Sequence, residues 1–182
     1  MSMVAKDNVS ALLAELDQFE DRVPLGQLVK YLQAYPISFD DIKRYARFND
    51  DGYRRNLLHA GPGYHALILC WKAGQRSPIH DHAASSCGVR VLKGVATETI
   101  FKRNAEGLVF PTSSHELQEG EVCGSQDADT HQMSNLQTDG KELVTLHIYS
   151  PPLLTMSQFS LTSATVTEFV DQIFEFAGGD GI

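Results

Sequence analysis

The chain has 182 residues, 42% hydrophobic and 21% charged, the composition of a globular protein with enough apolar material for a sizeable core. A formal net charge of −8 argues against a nucleic-acid partner, which needs a basic face. No apolar run approaches the ~20 residues of a membrane span, residues 1–7 do not read as a secretory leader, and three cysteines without a CxxC pair fit a reducing compartment. The expectation is therefore a cytoplasmic monomer that binds neither membrane nor nucleic acid.

In chain order, the first part reads as helix. Ser10 can cap a segment in which Leu12, Leu13 and Leu16 recur at helical spacing. Pro24 stands where a second helix begins, striped by Leu25, Leu28, Val29 and Leu32, and Pro36 ends it. Ser38 with Asp41 resembles a capping box ahead of a third helix with Ile42, Tyr45 and Phe48 inward. From Tyr53 the pattern changes to short β-rich runs: 67–71, then 88–93 and 95–102 flanking Gly94 as a hairpin, then 108–110, 117–122, 131–136, 143–149 and 158–166. Residues 166–176 read as a short terminal helix with Val170, Ile173 and Phe174 inward, before a frayed glycine-rich tail. Many short strands between turn residues predict a mainly β sandwich or barrel. One domain over 1–182 is expected, with helices in 1–50, a β-barrel in 51–166, and a helix and tail in 167–182.

Chemistry concentrates in three places. Side chains at i and i+2 of a strand share a face, so His80 and His82 can point two imidazoles at one spot, and His131 from another strand can complete a three-nitrogen set. Neutral imidazole suits zinc, copper, iron and nickel alike. Thr145, His147 and Tyr149 also share a strand face, as do Tyr53 and Arg55. Arg54 must then face the other way, which suits a surface ion pair. Asp81, between the two histidines, points away from them. His59, His65 and His115 read as surface or loop residues, Cys70 as core, and Cys123 as structural.

Gly74, His80, His82 and Gly94 fall in register with the first motif of the cupin family, and His131 with Asn135 resembles the second. The cupin resemblance implies a jelly-roll β-barrel. Cys87 stands where cupins carry a metal-binding glutamate, leaving three histidines alone. Together with Tyr53-Arg54-Arg55-Asn56-Leu57, Ile68-Leu69-Cys70-Trp71 and Leu146-His147-Ile148-Tyr149-Ser150-Pro151-Pro152, this departure resembles the thiol dioxygenases, in particular cysteine dioxygenase of the arginine type.

The resemblance implies Fe(2+) on His80, His82 and His131, a small-molecule thiol and O2 as partners, and cysteine sulfinic acid as product. Arg55 would hold the substrate carboxylate with a two-pronged contact, and Tyr53 would line the same pocket. Thr145, His147 and Tyr149 would form the family's relay, with threonine in place of its serine. Cys87 and Tyr149 are the candidates for the thioether cross-link found in some members. Ser150-Pro151-Pro152 matches a run with a cis serine–proline bond, and Met156 stands where mammalian members carry a cysteine. Two other readings stay open: a 3-mercaptopropionate dioxygenase, a branch that tends to carry glutamine where Arg55 stands, and a non-oxidative three-histidine cupin, either a zinc hydrolase or isomerase with His147 as base or a sensor without turnover.

Overall fold

Asp7, not Ser10, starts the first helix, α1 (Asn8–Leu16): its carboxylate accepts the Ser10 N–H at 2.7 Å and the Ser10 hydroxyl at 3.1 Å. The computed structural model describes residues 7–175. Pro24 precedes α2 (Leu25–Ala34), and α3 (Phe39–Ile42) is a single turn that tightens into a 3-10 turn over Lys43–Tyr45. Asp41 accepts both the N–H (2.8 Å) and the hydroxyl (2.7 Å) of Ser38, which closes the start of α3.

Twelve strands among the described residues form two six-stranded sheets. The first sheet contains β1 (Arg54–Ala60), β2 (His65–Trp71), β4 (Ser86–Lys93), β7 (Val122–Gln126), β9 (Leu143–Ser150) and β12 (Ile173–Phe174), in the order β12-β1-β2-β9-β4-β7. The second contains β3 (Ile79–His80), β5 (Ala96–Arg103), β6 (Val109–Leu117), β8 (Thr130–Ser134), β10 (Thr155–Phe159) and β11 (Thr167–Val170), in the order β11-β10-β3-β8-β5-β6. Strand alternation divides the core in two. Ile68, Cys70, Leu146 and Ile148 face the helices and bury Leu12, Leu16, Leu28 and Leu32. Leu67, Leu69, Trp71 and Val89 face the space between the sheets, with Met133 and Met156. The β9 strand is buried along its whole length. Gly88 lets α2 lie on β4, since a Cβ there would come within 2.7 Å of Leu32 Cδ1.

Four elements differ from the sequence expectation. The runs around Gly94 are not a hairpin: β4 and β5 belong to different sheets, and Gly94 (φ +83°) turns the chain from one to the other. The stretch 111–116 between two expected short strands is itself strand, part of β6, an outermost strand of its sheet. That position leaves it exposed on both sides, which explains its polar sequence. The strand expected at 158–166 lies earlier, as β10. The helix expected from Val166 is instead β11 and β12. Phe169, Asp171 and Ile173 are half-buried while Glu168, Val170 and Gln172 are exposed, which is alternation by two and not a helical stripe. The glycine-rich tail lies outside the described residues.

Candidate metal centre and substrate pocket

His80 ends β3, His131 lies opposite it on β8 in direct register, and His82 follows two residues after the strand ends. The three rings are buried, and one nitrogen from each lies within 4.8 Å of the others. Each Nδ1–H already has an acceptor: Pro78 O at 3.0 Å for His80, Asp129 O at 3.2 Å for His82, and Glu98 Oε1 at 2.6 Å for His131. These bonds fix the tautomers and leave the three Nε2 lone pairs for one ion. Burial, then the neighbouring histidines, pushes His80 and His82 well below the usual histidine range, so both are neutral donors. The donor set therefore fits a transition metal of the imidazole-binding kind. Ser125 Oγ lies 3.2 Å from His82 Nε2. Asp81 turns away as expected, and its carboxylate accepts the N–H groups of Ser157 and Ala83.

Glu98 was not anticipated. It sits on β5, nearly buried, between His131 and the ring of His115, whose Nε2 is 3.0 Å from Glu98 Oε2. Burial alone would raise the Glu98 carboxyl; the hydrogen bond and charge of His131, aided by His115, outweigh it and hold the group below its ordinary value. His115 is thus more than a loop residue. Cys123 also packs on Glu98, and burial and that carboxylate push its thiol far up.

A narrow cavity opens on the other side of His80 and His131, lined by Tyr53, Arg55, Trp71, His147, Tyr149 and Met156 among others. Arg55 is 2% exposed. Its Nη1 donates to Asp171 O and its Nη2 to Leu153 O, both at 3.1 Å, while Nε has no hydrogen-bond partner and lies 3.9 Å from Asp171 Oδ2. The guanidinium carbon is 5.4 Å from the centre of the Tyr149 ring. Tyr53 stacks on Trp71 (4.2 Å, 14°) and its hydroxyl donates to the Asp171 carboxylate. Arg54 faces away from the pocket, but its guanidinium lies 4.0 Å over the Phe174 ring and bonds Asn56, not the expected ion-pair partner.

On β9, Thr145, His147 and Tyr149 point into the barrel. His147 Nε2 is 2.9 Å from Thr145 Oγ1, and Nδ1 is 3.0 Å from the Tyr149 hydroxyl. Trp71 Nε1–H donates to Thr145 Oγ1 at 3.0 Å, a contact with no local sequence signal. Burial keeps His147 well below and Tyr149 well above their usual values, so both are neutral. Cys87 on β4 is the direct cross-strand partner of Tyr149 and is buried, its thiol also raised by burial. The Ser150–Pro151 bond is cis.

Comparison with known proteins agrees with this architecture. The chain is 31% identical over 144 residues to cysteine dioxygenase type 1 of Danio rerio, covering 76% of this chain and 71% of that protein. It is 33% identical over 145 residues to the Rattus norvegicus protein of the same name, with the same coverage. A solved Klebsiella pneumoniae protein with a double-stranded β-helix domain superposes with a TM-score of 0.51 at 12% identity, over 71% of this chain and 88% of its own, a likeness of fold. The sequence model of the family described as cysteine dioxygenase type I matches residues 2–162, and the chain belongs to that family.

Proposed function

We propose that this chain oxidises L-cysteine with O2 to cysteine sulfinic acid, using Fe(2+) held by His80, His82 and His131. The observation that carries the reading is a buried cluster of three histidines, two of which, His80 and His131, line a cavity that Arg55 also lines. Ferrous iron would supply the binding of thiolate and dioxygen that organic side chains lack.

The side chains divide the remaining work. Because all three donors are imidazoles and none is a carboxylate, the set adds no negative charge to oppose a bound thiolate. Arg55 takes the substrate carboxylate through a charge-assisted contact, worth roughly 1.5–3 kcal/mol. Tyr149 keeps its proton and aims its hydroxyl into the cavity, where it can donate to an oxygen of the substrate. His147 has a hydroxyl at each ring nitrogen, so it can accept at one and donate at the other. Thr145, held by Trp71 Nε1–H, orients that ring. Threonine preserves the hydroxyl that this task requires.

Elemental analysis after anaerobic iron loading tests the ligand set: about one iron per chain is expected, and unchanged iron in His82→Ala would exclude it. Oxygen uptake with cysteine separates the dioxygenase from a non-oxidative metal cupin. Arg55→Ala should lose most cysteine turnover, and cysteamine, which lacks the carboxylate, should be a poor substrate. Equal oxidation of cysteamine and cysteine would overturn the role given to Arg55.

The Cys87–Tyr149 pairing supports a partial thioether that accumulates with turnover. A C–S bond replaces the thiol S–H and one ring C–H, and O2 accepts the two hydrogens. Peptide mass spectrometry should find the linked pair lighter by two hydrogens and absent in Cys87→Ser. Wild-type protein that stays unlinked after extensive turnover would leave Cys87 as a packing residue.

A further inference from the structure

The unusual feature of the pocket is that its cation already faces a carboxylate from the same chain. Asp171 lies in the link between β11 and β12, beyond residue 162 where the family match ends. β12 pairs in parallel with β1, with Ile173 opposite Arg55, so Asp171 is delivered to the mouth of the Arg55 pocket by strand register. Its side chain is 14% exposed. The Tyr53 hydroxyl donates to Oδ2, and Arg55 Nε lies 3.9 Å from the same oxygen.

Two details mark this contact as replaceable. First, at 3.9 Å the Nε–carboxylate separation is too long for a hydrogen bond, and Nε is a buried donor with no partner. A carboxylate oxygen placed closer would satisfy it. Second, a guanidinium and a phenol hydroxyl converging on one carboxylate is the same recognition chemistry that a substrate carboxylate would use. Two carboxylates against one guanidinium in a buried site repel each other.

We propose that Asp171 is a specificity-determining residue: an internal carboxylate that competes with the carboxylate of the substrate for Arg55 and Tyr53. The inference rests on the assignment of Arg55 to the substrate carboxylate. A thiol without a carboxylate does not meet this competition, so Asp171 narrows the preference for carboxylated thiols that Arg55 alone would give.

The test uses the iron-loaded full chain and the near-isosteric Asp171→Asn. KM for cysteine should fall by about three- to tenfold while that for cysteamine changes by less than about twofold. A KM for cysteine that is unchanged or higher in Asp171→Asn would overturn the proposal, because Asp171 would then be neutral or would be positioning Arg55. A second readout does not need turnover. Trp71 is the sole tryptophan and carries Tyr53 stacked on its ring. Anaerobic titration with alanine, which has the carboxylate and amine but no thiol, should perturb Trp71 emission with a lower Kd in Asp171→Asn; an equal Kd would overturn the proposal. Arg55→Ala separates the two layers of the argument. If it leaves KM for cysteine unchanged, the assignment of Arg55 fails and the competition with it. If it raises KM while Asp171→Asn does not lower it, only the competition fails.

Discussion

His131 differs from His80 and His82 in one respect: its Nδ1–H meets a carboxylate, where theirs meet backbone carbonyls. A carboxylate partner makes the imidazole a stronger donor and fixes its orientation. Glu98→Ala should therefore weaken metal binding by about 10–100-fold with the three histidines intact, read by titration against a metal buffer. Unchanged affinity would reduce Glu98 to a packing residue. The histidines were legible because HxH is a local spacing, and Arg55, Tyr149 and Cys87 because their motifs resemble a family. Glu98, Trp71 and Asp171 were not, because each reaches its partner across 33, 74 and 116 residues respectively, and no local pattern records such a contact.

The helical segment is held to the barrel by apolar burial and closed at its ends by aspartates. Each fully buried leucine of α1 and α2 contributes roughly 1.5–3 kcal/mol, so packing outweighs propensity in helices this short. Asp7 and Asp41 lie below their ordinary value of 3.8, chiefly through backbone hydrogen bonds from Ser10 and Ser38. Asp127 is lowered by its hydrogen bond to Arg22, which ties residue 22 to β4 and the 127–129 loop. A carboxyl group depressed by folding adds stability above its unfolded value and loses it as pH falls through its folded value. The far-ultraviolet helical signal should hold at pH above 3.8 and decline as the pH drops beneath it; a decline that begins near neutrality would contradict this. The helix stripes were readable at 3.6 spacing. The 166–176 segment was not, because Val170, Ile173 and Phe174 recur at i, i+3 and i+4, the spacing of a helical stripe. Pairing with β1 and β10, remote in sequence, overrides that spacing.

For the whole molecule, the candidate metal links β3, β8 and the turn after β3, so binding couples to folding of the second sheet. A ligand at a hundredfold its Kd adds about 2.7 kcal/mol, and about 1 kcal/mol moves the Tm of a chain this size by roughly 2–4 °C. Stripping the metal with a chelator should lower Tm by about 5–10 °C; calorimetry showing no shift would mean that the histidines hold no ion. The class of fold was legible from the succession of short strands. The division into sheets was not, because Gly94 can turn a hairpin or a corner, and only long-range pairing chooses.

The three cysteines of this chain carry a further consequence. Cys70 is pushed up to about 12 by burial, and the Cys87 and Cys123 thiols are raised as well, each first by burial. A protonated thiol is a poor nucleophile. The folded chain thus keeps its own thiols protonated and poorly nucleophilic towards an alkylating reagent. Iodoacetamide at neutral pH should therefore modify the buried Cys70 and Cys87 no faster than the barrel opens, and the mass gained at these two positions becomes a clock for spontaneous unfolding.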